Sequence, residues 1–208
     1  ESTEEAEFTA MRINEFLKQS RDILKEIDSE ANCILTRGAS YDLPDLDVLP
    51  GGWVLMADMP VEKAIGELTG MVLMKRPEDY EEAAEKVLKA IKKYNAVYLQ
   101  LKGPDTYGHR GEPEKKAQAI EKIDREFIDK LLEELGEDVL ICLTTDHSTE
   151  CKKKAHSELP VPVILNSGKD DVDKFNEKAV KEGSLGTFDS GKELFKKLID
   201  TLGWNIEQ

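Results

Sequence analysis

The sequence predicts an α/β fold in which a mostly parallel sheet is flanked by helices. Short apolar runs typical of strands alternate with helical segments almost from one end of the chain to the other. The 208 residues are 39% hydrophobic and 35% charged, a balance typical of a globular protein with a sizeable core. The sequence contains neither an internal repeat nor a low-complexity tract. We therefore expect a single α/β domain over residues 1–208.

The individual elements follow from local patterning. Apolar residues at three- and four-residue spacing, proline at a first helical position, and acidic first turns with basic last turns all predict helices. The predicted helices are the first ~25 residues, 60–68, a segment that starts at Pro77, 112–135 and 191–202. Short apolar runs bounded by turn residues predict strands at 32–36, 53–56, 71–74, 96–101, 138–144 and 160–165. The segment 38–52, rich in Pro, Asp and Gly, is predicted to be a surface loop.

Composition excludes several classes of function. The formal net charge of −14 argues against a nucleic-acid or anionic-membrane surface, because clustered Lys and Arg hold phosphate groups. No stretch approaches the ~18–20 apolar residues that span a bilayer, and the acidic first residues are unlike a secretion signal. The cysteines Cys33, Cys142 and Cys151 form no Cys-x-x-Cys pair, which disfavours a disulfide framework and a thiolate zinc site. We expect a soluble, cytoplasmic protein in which Cys33 and Cys142 are reduced core thiols.

The three histidines of the chain all lie beside predicted strand ends. Asp105 and His109 follow the strand at 96–101, Asp146 and His147 follow the strand at 138–144, and His156 precedes the strand at 160–165. Chemistry in an open parallel sheet gathers at the carboxyl ends of its strands. Imidazole and carboxylate ligands together suit Zn²⁺, Mn²⁺ and related ions. The sequence therefore predicts a divalent-metal site, and the neighbours Asp146 and His147 could serve two ions instead of one.

Three motifs resemble a known family. They read Lys-Gly-Pro-Asp-Thr-Tyr-Gly-His-Arg-Gly at 102–111, Thr-Asp-His-Ser-Thr at 145–149, and Ala-His-Ser at 155–157 followed by Pro-Val-Pro-Val at 160–163. In this order they resemble the cofactor-independent phosphoglycerate mutases, above all the archaeal-type branch, within the alkaline phosphatase superfamily. Weaker resemblance covers most of the chain, including residues 13–16, 32–39 and 183–186. The resemblance implies an alkaline-phosphatase-like core, of which this chain would be the C-terminal portion.

The resemblance also implies a two-metal site. By position, Asp105, His109 and His156 would hold one ion, and Asp146 with His147 would provide part of the second; the ions would be Mn, Zn, Mg or Co. In the family, 3-phosphoglycerate phosphorylates a serine, which returns the phosphoryl group to give 2-phosphoglycerate, a step of glycolysis. Bound cations would let this dianionic substrate approach a chain of net charge −14.

Part of the family pattern is absent. The family is about twice this long, and its nucleophilic serine lies near the amino terminus in a segment containing Asp-Gly, a pair that this sequence lacks. The chain also begins with Glu instead of Met. We therefore expect the 208 residues to be the C-terminal half of a longer mutase, inactive alone. Thr106, Ser148, Thr149 and Ser157 are expected to turn loops or orient ligands, and none is nominated as the nucleophile.

Two basic residues are candidate substrate contacts. The fork of Arg37 suits a carboxylate or phosphate, and Lys102 follows a strand beside the metal motif; otherwise each is a solvated strand end. Two alternatives remain open: another phosphomutase or phosphodiesterase of the superfamily, or a metal-binding or interaction domain that does nothing without its other half. The expected partner is a small phosphorylated metabolite, with neither nucleic acid nor membrane. Copies could also associate through the apolar edge of a half-sheet.

Overall fold

A computed structural model describes residues 3–27 and 30–204 of the chain. The chain divides into two compact units, residues 1–44 and residues 45–208, and the division falls within the predicted 38–52 loop. The prediction of one α/β domain over residues 1–208 stays a prediction. In the described residues no helix is both long enough and apolar enough to cross a membrane.

The first unit contains one regular element, helix α1 (Glu4–Glu26), in its described part. Its start follows from Thr3, whose hydroxyl accepts a hydrogen bond from the amide of Ala6 at 3.2 Å. The helix predicted for the first ~25 residues is therefore confirmed. The strand predicted at 32–36 is wrong, since these residues have irregular backbone, and the expected core thiol Cys33 is exposed. A short apolar run becomes a strand only where a neighbouring strand takes its backbone hydrogen bonds.

The second unit is built on a parallel sheet of three strands. These are β1 (Trp53–Met56), β2 (Val72–Leu73) and β3 (Ala96–Leu99), in the order β2-β1-β3. All four residues of the central strand β1 are buried. A parallel strand that is buried on both faces reads as a continuous apolar run, which is why the sequence showed β1 so clearly.

Helices cover both faces of this sheet. The remaining helices are α2 (Pro60–Leu68), α3 (Tyr80–Ala90), α4 (Pro104–Arg110), α5 (Pro113–Ile123), α6 (Asp129–Glu134) and α7 (Gly191–Leu202). Val97 and Leu99 of β3 pack against a cluster that α3 forms with Phe127 and α6. Ala96, on the opposite face of β3, packs with Trp53 and Ile199 of α7. The predicted class, an α/β fold with a parallel sheet flanked by helices, is confirmed.

Several boundaries differ from the sequence prediction for identifiable reasons. The helix expected from Pro77 begins at Tyr80, because the Asp79 carboxylate accepts a hydrogen bond from the amide of Glu82 at 2.8 Å and caps α3. The long helix predicted at 112–135 is present as α5, a π-helical turn (Asp124–Ile128) and α6.

The last two predicted strands are much shorter than expected. They are reduced to β4 (Cys142–Leu143) and β7 (Ile164–Leu165), which pair antiparallel to each other. The prolines Pro160 and Pro162 supply no N–H to a ladder, so β7 begins only after them.

One helix and one hairpin beside the candidate site were not predicted. Helix α4 occupies a segment for which neither a helix nor a strand was predicted, and β5 (Ser148–Glu150) forms an antiparallel hairpin with β6 (Ala155–Ser157). Both are short and polar, so they lack the apolar periodicity that reveals helices and strands in a sequence. These two elements carry most of the candidate site.

Candidate metal centre

Helix α4 presents two candidate ligands on one side. Asp105 and His109 are four residues apart, so they lie on the same face one turn from each other. The helix follows Gly103, whose φ of 139° few other residues could adopt, and it is followed by Gly111, whose φ is 72°. Gly108 is buried against the hairpin; a Cβ added there would lie 2.8 Å from Cγ2 of Thr149. The lack of a side chain at Gly108 therefore lets α4 approach the hairpin closely.

The hairpin presents the third histidine. Thr149 of β5 lies directly opposite His156 of β6 in the antiparallel register, so their side chains share one face. The turn between the strands ends at Lys154, whose φ of 52° is a left-handed conformation that few non-glycine residues adopt. The carbonyl oxygen of Lys154 lies 3.2 Å from Nδ1 of His109. The turn of the hairpin thus contacts the histidine of α4.

Side chains from separate parts of the sequence converge between α4 and the hairpin. Nε2 of His109 lies 3.0 Å from Nε2 of His156. Oδ1 of Asp105 lies 3.5 Å from Nε2 of His109 and 3.8 Å from Nε2 of His156. The ring of His147 stacks on that of His156, with 3.7 Å between centroids. Asp105, His147 and His156 each offer a ligand atom within 4.8 Å of the others.

Asp146 is the most exposed of the five predicted ligands. Its Oδ2 lies 3.4 Å from Nε2 of His147, and 72% of its side-chain surface is exposed. Its Oδ1 accepts a hydrogen bond from the backbone amide of His147 at 3.1 Å. The structure therefore places Asp146 beside His147 at the outer side of the cluster.

Hydrogen bonds around the cluster orient two of its imidazole rings, those of His109 and His147. The Lys154 carbonyl can only accept, so Nδ1 of His109 carries the proton and Nε2 presents its lone pair to the centre. The Thr149 hydroxyl donates to Oδ1 of Asp105 at 2.6 Å and lies 3.1 Å from Nδ1 of His147. With its single proton on the carboxylate, the hydroxyl oxygen can accept from an Nδ1–H of His147, whose Nε2 lies 3.4 Å from Oδ2 of Asp146.

The donor set fits a divalent cation. Burial raises the pKa of Asp105, but the Thr149 hydrogen bond and the neighbouring imidazoles of His109, His147 and His156 outweigh that effect and keep it below its usual value. The carboxylate is therefore ionised at neutral pH. One carboxylate oxygen together with unprotonated imidazole nitrogens is the mixture of ligands that Zn²⁺ and Mn²⁺ take in proteins.

Lys102 and Arg37 are the two candidate substrate residues. Lys102 is exposed, and its backbone carbonyl accepts a hydrogen bond from the hydroxyl of Tyr80 at 2.6 Å. It lines a cavity of about 630 Å³ with residues such as Tyr80 and Tyr107, and none of the five predicted ligands lines that cavity. Arg37 belongs to the first unit and is exposed. Roles for Lys102 and Arg37 in substrate binding stay predictions.

In the sequence, Thr149 is one of several hydroxyl residues near the motifs and does not stand out from them. The motif Thr-Asp-His-Ser-Thr by itself does not reveal that its last threonine contacts Asp105, 44 positions away in the chain. The Lys154 carbonyl could not be found from the sequence, since it is a backbone group that a left-handed φ directs toward His109.

Comparisons with known proteins show which family the chain resembles. A family model described as the metalloenzyme superfamily matches residues 57–192. A 2,3-bisphosphoglycerate-independent phosphoglycerate mutase of Picrophilus torridus is 36% identical over 204 residues, covering 86% of this chain and 50% of that protein. The protein of the same name from Methanopyrus kandleri is 30% identical over 217 residues, covering 92% of this chain and 51% of its own length.

Solved structures show the same fold. The structure of the PH0037 protein from Pyrococcus horikoshii superposes with a TM-score of 0.84 at 26% identity, covering 99% of this chain and 60% of that one. The cofactor-independent phosphoglycerate mutase from Thermoplasma acidophilum superposes with a TM-score of 0.50 at 20% identity, covering 89% of this chain and 49% of its own, and supports the fold alone.

The chain spans about half the length of the curated relatives it matches. The names of those relatives confirm the predicted resemblance to the phosphoglycerate mutases. The family model covers both α4 and the β5–β6 hairpin, and its description implies that a divalent metal is bound. On this match, and with a donor set suited to a divalent cation, the chain belongs to the metalloenzyme superfamily.

Proposed function

We propose that this chain supplies metal ligands to a 2,3-bisphosphoglycerate-independent phosphoglycerate mutase, an isomerase that interconverts 3-phosphoglycerate and 2-phosphoglycerate. The observation that carries the proposal is the convergence of Asp105, His109, His147 and His156 between α4 and the hairpin. The names of the relatives support the substrate and the reaction.

We assign the candidate ligands to two ions according to which side chains lie next to each other. Asp105, His109 and His156 approach one another through Oδ1 and two Nε2 atoms, and we assign them to one ion. Asp146 and His147 are in contact with each other, and we assign them to a second. The stacked rings of His147 and His156 hold the two groups side by side. When bound, the ions would supply the positive charge that a transferring phosphoryl group requires.

The protein's own residues prepare this site. The Lys154 carbonyl holds the proton of His109 on Nδ1, so the other nitrogen faces the centre. The Asp105 carboxylate is kept ionised by its hydrogen bond and its imidazole neighbours. The hydroxyl of Thr149 is buried and engaged by Asp105 and His147, so it is a poor nucleophile. The family resemblance places the nucleophilic serine in an Asp-Gly segment that this sequence lacks, so we propose that the nucleophile of the intact mutase comes from outside these 208 residues.

Metal analysis of this chain tests the ligand assignment. Asp105→Asn should remove about one equivalent of Zn²⁺ or Mn²⁺, because a neutral amide replaces the carboxylate ligand. Asp200→Asn is the matched control: it makes the same change at an exposed residue of α7 and should leave the metal content unaltered. Equal metal content in the two variants would contradict the assignment.

Turnover by the intact protein that contains this chain tests the reaction. It should interconvert the two phosphoglycerates without added 2,3-bisphosphoglycerate, and EDTA should abolish the activity. The isolated chain should show none. Full activity after removal of the metal would refute the proposal.

A panel of phosphate esters separates this function from its alternative. The described site holds ligands for cations, and these do not distinguish the organic part of a substrate. Turnover of another phosphomonoester or of a diester, with phosphoglycerate left unchanged, would identify a different phosphomutase or a phosphodiesterase of the superfamily.

A further inference from the structure

We propose that Thr149 is a positioning residue of the metal centre, whose one buried hydroxyl sets both the direction of the Asp105 carboxylate and the tautomer of His147. The inference rests on the proposed function only in taking Asp105 and His147 as ligands. It predicts that the chain arranges these two donors before any cation is present.

The burial of Thr149 needs an explanation. Its exposed fraction is 3%, and among the described residues Thr69 is the only other polar or charged residue that is buried. Burying a hydroxyl without hydrogen bonds is unfavourable, so such groups are retained where they have partners. The hydroxyl of Thr69 bonds to the carbonyl of Ile65 at 2.8 Å, within its own helix turn. Thr149 instead bonds to two side chains that are themselves candidate ligands.

The two hydrogen bonds of Thr149 depend on each other. A hydroxyl has one proton, and at 2.6 Å from Oδ1 of Asp105 that proton lies on the short bond to an ionised carboxylate. The same oxygen can then only accept from Nδ1 of His147, 3.1 Å away. On the other side of the ring, Nε2 of His147 lies 3.4 Å from Oδ2 of Asp146, a longer contact than the 3.1 Å between Nδ1 and the Thr149 hydroxyl. The shorter contact holds the proton of the neutral ring on Nδ1, and Nε2 is left as the ligand atom.

The position of the hydroxyl is itself set by its surroundings. The backbone of Thr149 is paired opposite His156 in the hairpin, and its carbonyl accepts a hydrogen bond from the ammonium of Lys116 in α5 at 2.7 Å. Its methyl group faces Gly108 of α4, where no side chain intervenes. A β-branched side chain enclosed in this way has little rotational freedom. Thr149 thus connects α4, α5 and the hairpin at the point where the donors meet.

Loss of the hydroxyl should therefore affect two ligands together. Asp105 would lose the hydrogen bond that orients it, and His147 could place its proton on either nitrogen. Removing a partner that orients a metal ligand typically weakens metal binding by ~10–100-fold. Thr149→Val removes the hydroxyl and keeps the shape, and Thr149→Ser keeps the hydroxyl. Thr69→Val removes the hydroxyl of the other buried threonine among the described residues, which lies away from the centre.

Two measurements on the full 208-residue chain test the inference. Calorimetric titration with Zn²⁺ should show binding weakened ~10–100-fold in Thr149→Val, with Thr149→Ser and Thr69→Val close to the unaltered chain. Nitrogen NMR of the metal-free chain should show His147 protonated on Nδ1 in the unaltered chain and in Thr149→Ser. In Thr149→Val that preference should be lost. Should Thr149→Val fail to fold, Thr149→Ala removes the same hydroxyl with less apolar volume.

The outcomes separate this inference from the proposed function. An unchanged His147 tautomer in Thr149→Val, or Zn²⁺ binding equal to that of Thr69→Val, would overturn the positioning role and leave the metal site in place. Absence of Zn²⁺ binding in the unaltered chain would overturn the ligand assignment. The tautomer measurement would still decide whether Thr149 sets the state of His147, because it needs no metal.

Discussion

Replacing Gly108 by alanine tests how closely α4 must approach the hairpin. An added Cβ would lie 2.8 Å from Cγ2 of Thr149 and 3.1 Å from both its Cβ and its carbonyl oxygen. Non-bonded carbon atoms prefer a separation of ~3.5–4.0 Å, so α4 and β5 would have to move apart by roughly 0.7 Å. Asp105 and His109 belong to α4 and would move with it.

The expected magnitude combines two opposing effects. Alanine favours a helix over glycine by ~1 kcal/mol, whereas an overpacked contact costs ~1–3 kcal/mol. We expect Gly108→Ala to lower the free energy of unfolding by up to about 2 kcal/mol. Metal–ligand distances tolerate changes of only ~0.2 Å, so a shift of roughly 0.7 Å should weaken Zn²⁺ binding at least tenfold, about 1.4 kcal/mol.

Urea denaturation and Zn²⁺ titration of the chain measure both effects. Gly191→Ala is the matched control, because it adds the same methyl group to the start of α7, where nothing lies within 4 Å of the new Cβ. That variant should bind Zn²⁺ like the unaltered chain. If Gly108→Ala matched Gly191→Ala in both stability and Zn²⁺ affinity, the close approach of α4 would not be what positions the donors.

Further predictions concern the fold around the site. Met56 is fully buried in β1, so Met56→Ala should lower the free energy of unfolding by ~2–5 kcal/mol; a loss well below that range in urea melts would place Met56 outside the core. Gly51 has a φ of 90° and a new Cβ would lie 2.8 Å from Trp204, so Gly51→Ala should destabilise the fold and change tryptophan fluorescence. Backbone N–H groups, that of Ser184 first, keep the pKa of Asp170 below its usual value. The contribution of ionised Asp170 to the free energy of unfolding is therefore complete above the pKa of ~3.9 in the unfolded chain. It is lost as the pH falls through the lower pKa of the folded chain. Asp170→Asn should reduce this loss of stability at acid pH. Identical curves of unfolding free energy against pH for the variant and the unaltered chain would contradict a stabilising role for these hydrogen bonds.

The sequence predicted those elements whose signals are local. Helix α2 begins at Pro60 and ends at Leu68 as predicted, because a proline at the first position marks a helix start. Helix α7 follows Ser190, whose hydroxyl caps the amide of Glu193, and its predicted bounds are also those of the structure. Strand β1 was predicted over its full length, because a strand buried on both faces is continuously apolar.

Elements whose extent depends on distant partners were predicted less well. The segment 32–36 has an apolar run but no strand, whereas the polar segment of β5 has no apolar run but pairs with β6. Backbone pairing decides both cases, and it is contributed by residues elsewhere in the chain. The length of β7 is an intermediate case, since the effect of Pro160 and Pro162 is local and was overlooked.

The identities of the metal-binding candidates were set by the sequence alone, because few residue types offer an imidazole or carboxylate and the three motifs contain all the histidines. Only the tertiary structure decided how those groups meet: a glycine allows α4 to contact the hairpin, and Thr149 and Lys154 direct Asp105, His147 and His109. The physical reason is that coordination depends on the direction of individual lone pairs. That direction is determined by hydrogen bonds and packing between segments far apart in the chain, which local sequence does not encode.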